Sequence, residues 1–246
     1  MTTTPPPDHR QTAAAPSRPA EPSPPAGPAP DVEQRVLAAL APLGDAHDLL
    51  LAGPHALHAH GLRPHALILG LADPPHASLT LVTRSPRRLP ATVDAIARAL
   101  RATGLDCAPH RDGLLIAQAY ELTVAGENLR HPAVPHDPLP VISLDDAVGL
   151  AVRALHDRGL AGDVLDVASA AHLYSFLELE SLGRTHLDSF SVHELLMRLE
   201  FVEEMDDERL DGEIRALVLS WIEEIKLRRA EEGDIDVDDP DLPALD

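Results

Sequence analysis

Cysteine is nearly absent from this chain. A single Cys107 among 246 residues excludes an intramolecular disulfide and a zinc site built on several thiolates. Aromatics are almost as scarce, with three Phe, two Tyr and one Trp. The core must therefore come from Leu, Val, Ala and Ile. Lysine occurs once, at Lys226, and every other basic residue is arginine. Long apolar runs are missing as well. The longest, near Ala66–Ala72, falls far below the roughly 20 residues of a membrane-spanning helix, and no basic-then-apolar leader opens the sequence. The expectation is a cytoplasmic protein with no membrane partner.

Acid and proline are what the chain has in excess. Its net charge is −20, and the stretch from Glu200 to Asp246 holds 18 acids against five bases. A surface of that sign disfavours non-specific nucleic-acid binding. Ten of the 24 prolines fall within residues 1–30, too many for helix or strand. That segment also has too little apolar surface to offset ordering entropy. It reads as a disordered tail. Residues 229–246, acidic and proline-containing, read as a second tail.

Hydrophobic spacing organises the rest. A helix is expected from Asp31 as cap to Leu40, ended by Gly44. A buried strand is expected at Asp48–Gly53, then a short helix opened by Pro54 and closed at His60-Gly61. Strands are expected at 66–71, 78–83, 105–108, 114–119 and 121–125, with a helix at 91–103. From Ser143 onward the period changes to helical throughout. Ser143 with Asp146, and Ser191 with Glu194, have the spacing of capping boxes. Helices are expected at 143–158, 161–173, 176–184, 191–201 and 207–228, the last with Leu210, Ile214, Leu217, Val218, Trp221 and Ile225 on one face. The expected fold is α+β: a small mixed sheet with helices over 31–140, then a helical domain over 141–228.

Two segments carry a resemblance to a known family. One is Leu50-Leu51-Ala52-Gly53-Pro54-His55-Ala56-Leu57-His58-Ala59-His60-Gly61-Leu62. The other runs from Val141-Ile142-Ser143-Leu144-Asp145-Asp146-Ala147-Val148-Gly149 through Val152-Arg153-Ala154-Leu155-His156-Asp157-Arg158-Gly159 to Asp163-Val164-Leu165-Asp166-Val167. Together they resemble the AbiEii-type nucleotidyltransferase-like toxins of bacterial abortive-infection systems. The resemblance implies a nucleotidyltransferase fold with a cleft between the sheet and the helical domain. It also implies a glycine turn that cradles a nucleoside triphosphate, and a D-x-D strand plus a third carboxylate holding two Mg²⁺ ions.

The sequence departs from that pattern at nearly every reactive position. Gly53 is kept, but Pro54 beside it has no N–H to offer a phosphate. Ser78 and Thr80 stand where the D-x-D acids belong. Thr123 stands for the third carboxylate, and Ala151 for the lysine of the helical domain. Gly162 replaces the Arg of Arg-Asp-x-x-Asp, although Asp163 and Asp166 remain. The resemblance therefore implies a degenerate member, catalytically inactive, needing neither Mg²⁺ nor nucleotide as a cofactor. It would act as a binding or interaction protein, with a small ligand or a protein as its partner.

Gly53, Pro54, His55, Arg153, Arg158, Asp163 and Asp166 are candidates to line the old cleft. One alternative is an active Mg²⁺-dependent nucleotidyltransferase that recruits Asp163, Asp166 or Glu121. Another is a metal site on the histidines: His55 and His58 lie one helical turn apart, with His76 nearby. Cys107, in an expected strand, reads as buried and inert.

Overall fold

The computed structural model describes residues 30–62, 78–111, 113–117 and 120–231. Residues 1–29 and 232–246 of the expected tails, the strand expected at 66–71, and His65, Asp73 and His76 lie outside them, while Arg229, Ala230 and Glu231 of the expected second tail continue the last helix. The chain opens with α1 (Pro30–Leu40), a 3₁₀ turn (Ala41–Leu43) and a four-residue helix α2 (Gly44–His47). Gly44 therefore starts a helix instead of ending one. Its φ of −46° is helical, and the stop falls on Asp48, at φ 48°. Short polar side chains tolerate that left-handed conformation.

β1 (Leu49–Ala52) and α3 (Gly53–Ala59) follow, then β2 (Ser78–Thr83), a 3₁₀ turn (Pro86–Arg88) and α4 (Leu89–Ala102). Next come β3 (Cys107–Arg111), β4 (Leu114–Ala117) and β5 (Tyr120–Gly126). β3 begins two residues later than its apolar run suggests. Gly104, at φ 78°, and Leu105 close α4 by donating their N–H groups to Arg101 O and Leu100 O. This is a Schellman cap with an apolar contact between Leu100 and Leu105, both fully buried. Gly61 and Leu62 close α3 in the same way, on His58 O and Leu57 O.

The five strands form one sheet in the order β1-β2-β5-β4-β3. β2 and β5 are parallel and the other pairs antiparallel. Alternation separates two faces. Leu79, Leu81, Leu115, Leu122 and Val124 are buried under α4, on which α1 packs. On the opposite face Leu50, Ala52 and Val82 are buried, while Ser78, Glu121, Thr123 and Ile116 are exposed. Among the described residues that face is half open.

The helical half comprises α5 (Leu144–Arg158), α6 (Ala161–Ala170), α7 (Phe176–His186), α8 (Val192–Glu203) and α9 (Gly212–Glu231). α9 starts five residues later than its periodicity suggests, because Asp211 accepts the N–H groups of Glu213 and Ile214. Asp207 is engaged in a turn with Arg209. α5 and α7 pack closely, and two glycines set their distance. A Cβ on Gly149 would lie 2.6 Å from His186 Cδ2, and one on Gly183 2.7 Å from Val152 Cγ1. Trp221 of α9 stacks on Phe176 at 5.1 Å.

The buried apolar residues form one continuous cluster from Val36 to Ile225. The link between the halves is stitched to the sheet edge. Leu51 N–H donates to Pro140 O, and Ile142 N–H donates to Leu51 O. His60 Nε2 donates to Ile142 O at 2.8 Å. His60, at the end of α3, thus ties that helix to the start of α5. No helix of the described residues is long and apolar enough to cross a membrane.

Candidate functional site

The half-open sheet face carries three of the positions singled out in the sequence. Thr80 pairs with Thr123 across the parallel β2–β5 ladder, and Ser78 pairs with Glu121. Ser78, Thr80 and Thr123 therefore share one face, with two hydroxyl side chains directly opposite each other. Gly53 sits at φ 59°, and a Cβ there would lie 3.0 Å from both Cβ and Oγ1 of Thr80. That contact and the left-handed φ both require glycine. Pro54 occupies the first turn of α3, and no side chain caps that helix. The register brings Gly53, Thr80 and Thr123 together, and Glu121 is the acid on the same stretch of β5.

Asp163, Asp166 and Arg158 meet at the α5–α6 junction. Asp163 is 5 % exposed. Its Oδ2 accepts the Leu160 N–H at 3.1 Å and the Arg158 Nε–H at 3.2 Å, and Oδ1 pairs with Arg158 Nη2. Those contacts are half of a capping box plus an ion pair, a structural task. Asp166 differs. Its Oδ1 is buried with no hydrogen-bond partner. Burial first, then the charge of Asp163, push its carboxyl up to about 7, against the pull of Arg158.

The sign of the linkage follows from that shift. The unfolded carboxyl releases its proton near pH 4 and the folded one near pH 7, so Asp166 lowers stability progressively across that window. Above pH 7 the loss is complete. Asp166→Asn should stabilise the protein at pH 8 by on the order of 2 kcal/mol, with no gain at pH 4. Urea unfolding at the two pH values checks this.

Arg153 and Ala151 lie on α5, two residues apart. Ala151 is half-buried. Arg153 does not reach Asp163 or Asp166. It makes a bidentate pair with Glu127, at 2.8 Å from Nη1 to Oε2 and 2.6 Å from Nη2 to Oε1. The hydrogen bonds of Glu127 keep its guanidinium firmly charged. Glu127, Arg130, Asp146 and His186 were not marked in the sequence as site residues. Asp146 is fully buried and organises the segment after β5: it accepts the N–H groups of Arg130 and His131 and the Ser143 hydroxyl. His186 Nε2 lies 3.2 Å from Asp146 Oδ1. Burial depresses the His186 pKa further than Asp146 raises it. The only sequence signal for this cluster was the Ser143–Asp146 spacing, which reads as a cap.

Among the described residues the histidines do not converge, and His76 lies outside them. His55 Nε2 lies 3.4 Å from Glu33 Oε1 and its Nδ1 is buried without a partner, while His58 is exposed. Among the described residues no three His, Cys, Asp or Glu side chains come together in a way that could hold a metal. Cys107 is 2 % exposed, and burial pushes its thiol up, which keeps it protonated and unreactive.

No protein-family model matches the chain, and no curated protein matches it in sequence. Two solved structures resemble it at low similarity. One is the crystal structure of JHP933 from Helicobacter pylori, with a TM-score of 0.41 and 11 % identity, over 83 % of this chain and 95 % of that one. The other is that of a candidate nucleotidyltransferase from H. pylori, with a TM-score of 0.42 and 12 % identity, over 84 % of this chain and 95 % of that one.

Proposed function

We propose that this chain is a nucleotidyltransferase-like protein of the AbiEii-related kind, that its two-metal site has been lost, and that it acts by binding and not by transfer. The observation that carries the reading is the Thr80–Thr123 pair beside Gly53. Two-metal transfer needs carboxylates on adjacent strands of one face, because hard divalent cations demand charged oxygen ligands. The positions that the resemblance assigns to those carboxylates hold Ser78, Thr80 and Thr123, and their register on one face supports that assignment. Thr80 also presses on the turn glycine, and Pro54 withholds the N–H that a phosphate would use.

The alternative use of Asp163 finds little support, since that carboxylate caps α6 and pairs with Arg158. The histidine-metal alternative finds none among the described residues, where His55 turns to Glu33 and His58 to solvent.

The test is transfer of label from the four nucleoside triphosphates to RNA or protein acceptors, with and without Mg²⁺. The expected result is no Mg²⁺-dependent incorporation. The triple variant Ser78→Asp, Thr80→Asp, Thr123→Asp should bring Mg²⁺ binding into about the millimolar range without restoring turnover. Incorporation by the unmodified protein that Asp166→Asn abolishes would overturn the reading in favour of an active transferase.

A further inference from the structure

Four arginines of this acidic chain, Arg84, Arg87, Arg88 and Arg130, follow the carboxyl ends of β2 and β5 in the chain. β2 and β5 run parallel, so their carboxyl ends open on the same side. Arg84, Arg87 and Arg88 follow β2 and are exposed. The turn that bears them lies against the end of β5, where a Cβ on Gly126 would come 2.6 Å from Pro86 Cα. Arg84 Nη2 donates to His131 O at 2.6 Å, next to Arg130 in the chain. Among the described residues none of these four arginines has a carboxylate partner. In a molecule of net charge −20, free anions are repelled from most of the surface. Against that field, an arginine with no carboxylate partner among the described residues stands out at a concave place.

The concave place is a cavity of about 410 Å³ whose lining includes Asn128, Arg130, Arg153, His186 and Ser189. That volume suits a small metabolite. The two guanidinium groups in it are not equivalent. Arg153 is neutralised by Glu127. Arg130 is held by its Nε and Nη2 on Thr185 O, at 3.3 and 3.1 Å. That anchoring leaves its Nη1 hydrogens and one of Nη2 uncommitted, a fork that matches two oxygens of a carboxylate or a phosphate. The backbone of Arg130 is fixed as well, because its N–H is held by buried Asp146 at 2.9 Å. The group is therefore positioned before any ligand arrives, which lowers the ordering cost of binding. The lining also holds two acids, Asp188 and the Glu127 that pairs with Arg153, so among the described residues Arg130 is the guanidinium there that no carboxylate ties.

We propose that this cavity seats a small organic anion with a terminal carboxylate or phosphate, bound end-on by Arg130 without a metal. The inference stands apart from the reading of the Thr80–Thr123 face and holds whatever that face does.

Calorimetric titration of the full chain in EDTA tests it, with ribose 5-phosphate and succinate as the two probes. At least one should bind saturably. Arg130→Gln should weaken that binding by about 10- to 100-fold, the loss of a charge-assisted hydrogen-bonded contact. Arg98→Gln, whose side chain bonds only to Asp94 O of its own helix, should leave it unchanged. Binding of ribose 5-phosphate alone assigns a phosphate, and of succinate alone a carboxylate. If Arg130→Gln fails to fold, Arg130→Lys carries the test, with an expected weakening of about tenfold because an ammonium keeps the charge and loses the fork. Absence of saturable binding by either probe up to about 10 mM would overturn the proposal. So would a variant, whichever of the two carries the test, that binds like the unmodified protein.

Discussion

Asp146→Ala should lower stability by about 4 kcal/mol, the cost of stripping a buried, multiply bonded carboxylate from its partners. Asp146 has no exposed surface. Its Oδ1 takes the Arg130 N–H at 2.9 Å, and its Oδ2 takes the His131 N–H at 3.0 Å and the Ser143 hydroxyl at 2.8 Å. The Ser143 hydroxyl in turn accepts the Asp146 N–H at 3.1 Å. Alanine would leave two loop N–H groups without their acceptor and would remove the partner of His186 Nε2. Isosteric Asp146→Asn should fall only a little short of that loss, because an NH₂ group would then point at a donor. Ser143→Ala should cost about 2 kcal/mol, a cap and one of the three hydrogen bonds to the carboxylate. With a slope of about 2–4 °C per kcal/mol for a chain of this size, Asp146→Ala should melt roughly 10 °C lower. A fall no larger than that of Ser143→Ala would show that the carboxylate is replaced by water. The same variant should also weaken anion binding, since Arg130 loses its backbone anchor.

Arg228→Ala should destabilise nearly as much, by about 3 kcal/mol, for a related reason. Glu180 is 2 % exposed inside the helical half. It accepts the Trp221 Nε1–H at 3.1 Å, and Arg228 reaches both of its oxygens, Nη1 meeting Oε2 at 3.1 Å. Removing the guanidinium strands a buried negative charge. The double variant Glu180→Leu, Arg228→Met removes both charges and should cost less than Arg228→Ala alone, because no charge is then left uncompensated. Denaturant unfolding of the single and double variants reads the difference directly. A double variant less stable than the single one would show that the ion pair, and not the filling of space, sustains this contact.

Local chemistry wrote much of this structure into the sequence. Ser143 and Ser191 start helices where their spacing says they should, because a hydroxyl that can reach an orphan N–H is a local matter. Gly53, Gly104 and Gly159 turn the chain where a positive φ is needed, and only glycine adopts that conformation at little cost. The alternation of Ser78–Thr83 defined one strand and its two faces before any partner strand was known. The same pattern, with the resemblance of the Gly53 turn, placed Ser78, Thr80 and Thr123 on a common face.

Elsewhere a neighbour distant in sequence decided the outcome. Asp146 has the spacing of a capping acid, yet its carboxylate turns to the loop of Arg130 and His131, about fifteen residues back. Arg153 was grouped with Asp163 and Asp166 by the family resemblance, but it pairs with Glu127 across the fold. His60 carried no expected task beyond the end of a short helix, and its ring holds Ile142 O. Gly149 and Gly183 carry no turn and no cap, so nothing local marks them. Only the close approach of α5 and α7 makes a side chain impossible there. The sequence by itself determined most of the elements and several of their caps, because each depends on a few consecutive residues, whereas the helix start at Gly44 and the late starts of β3 and α9 did not follow from it. The tertiary structure alone decided which charges meet. An ion pair or a buried carboxylate takes its partner from whatever the packing of helices on the sheet brings within about 3 Å, and that is set by the whole chain.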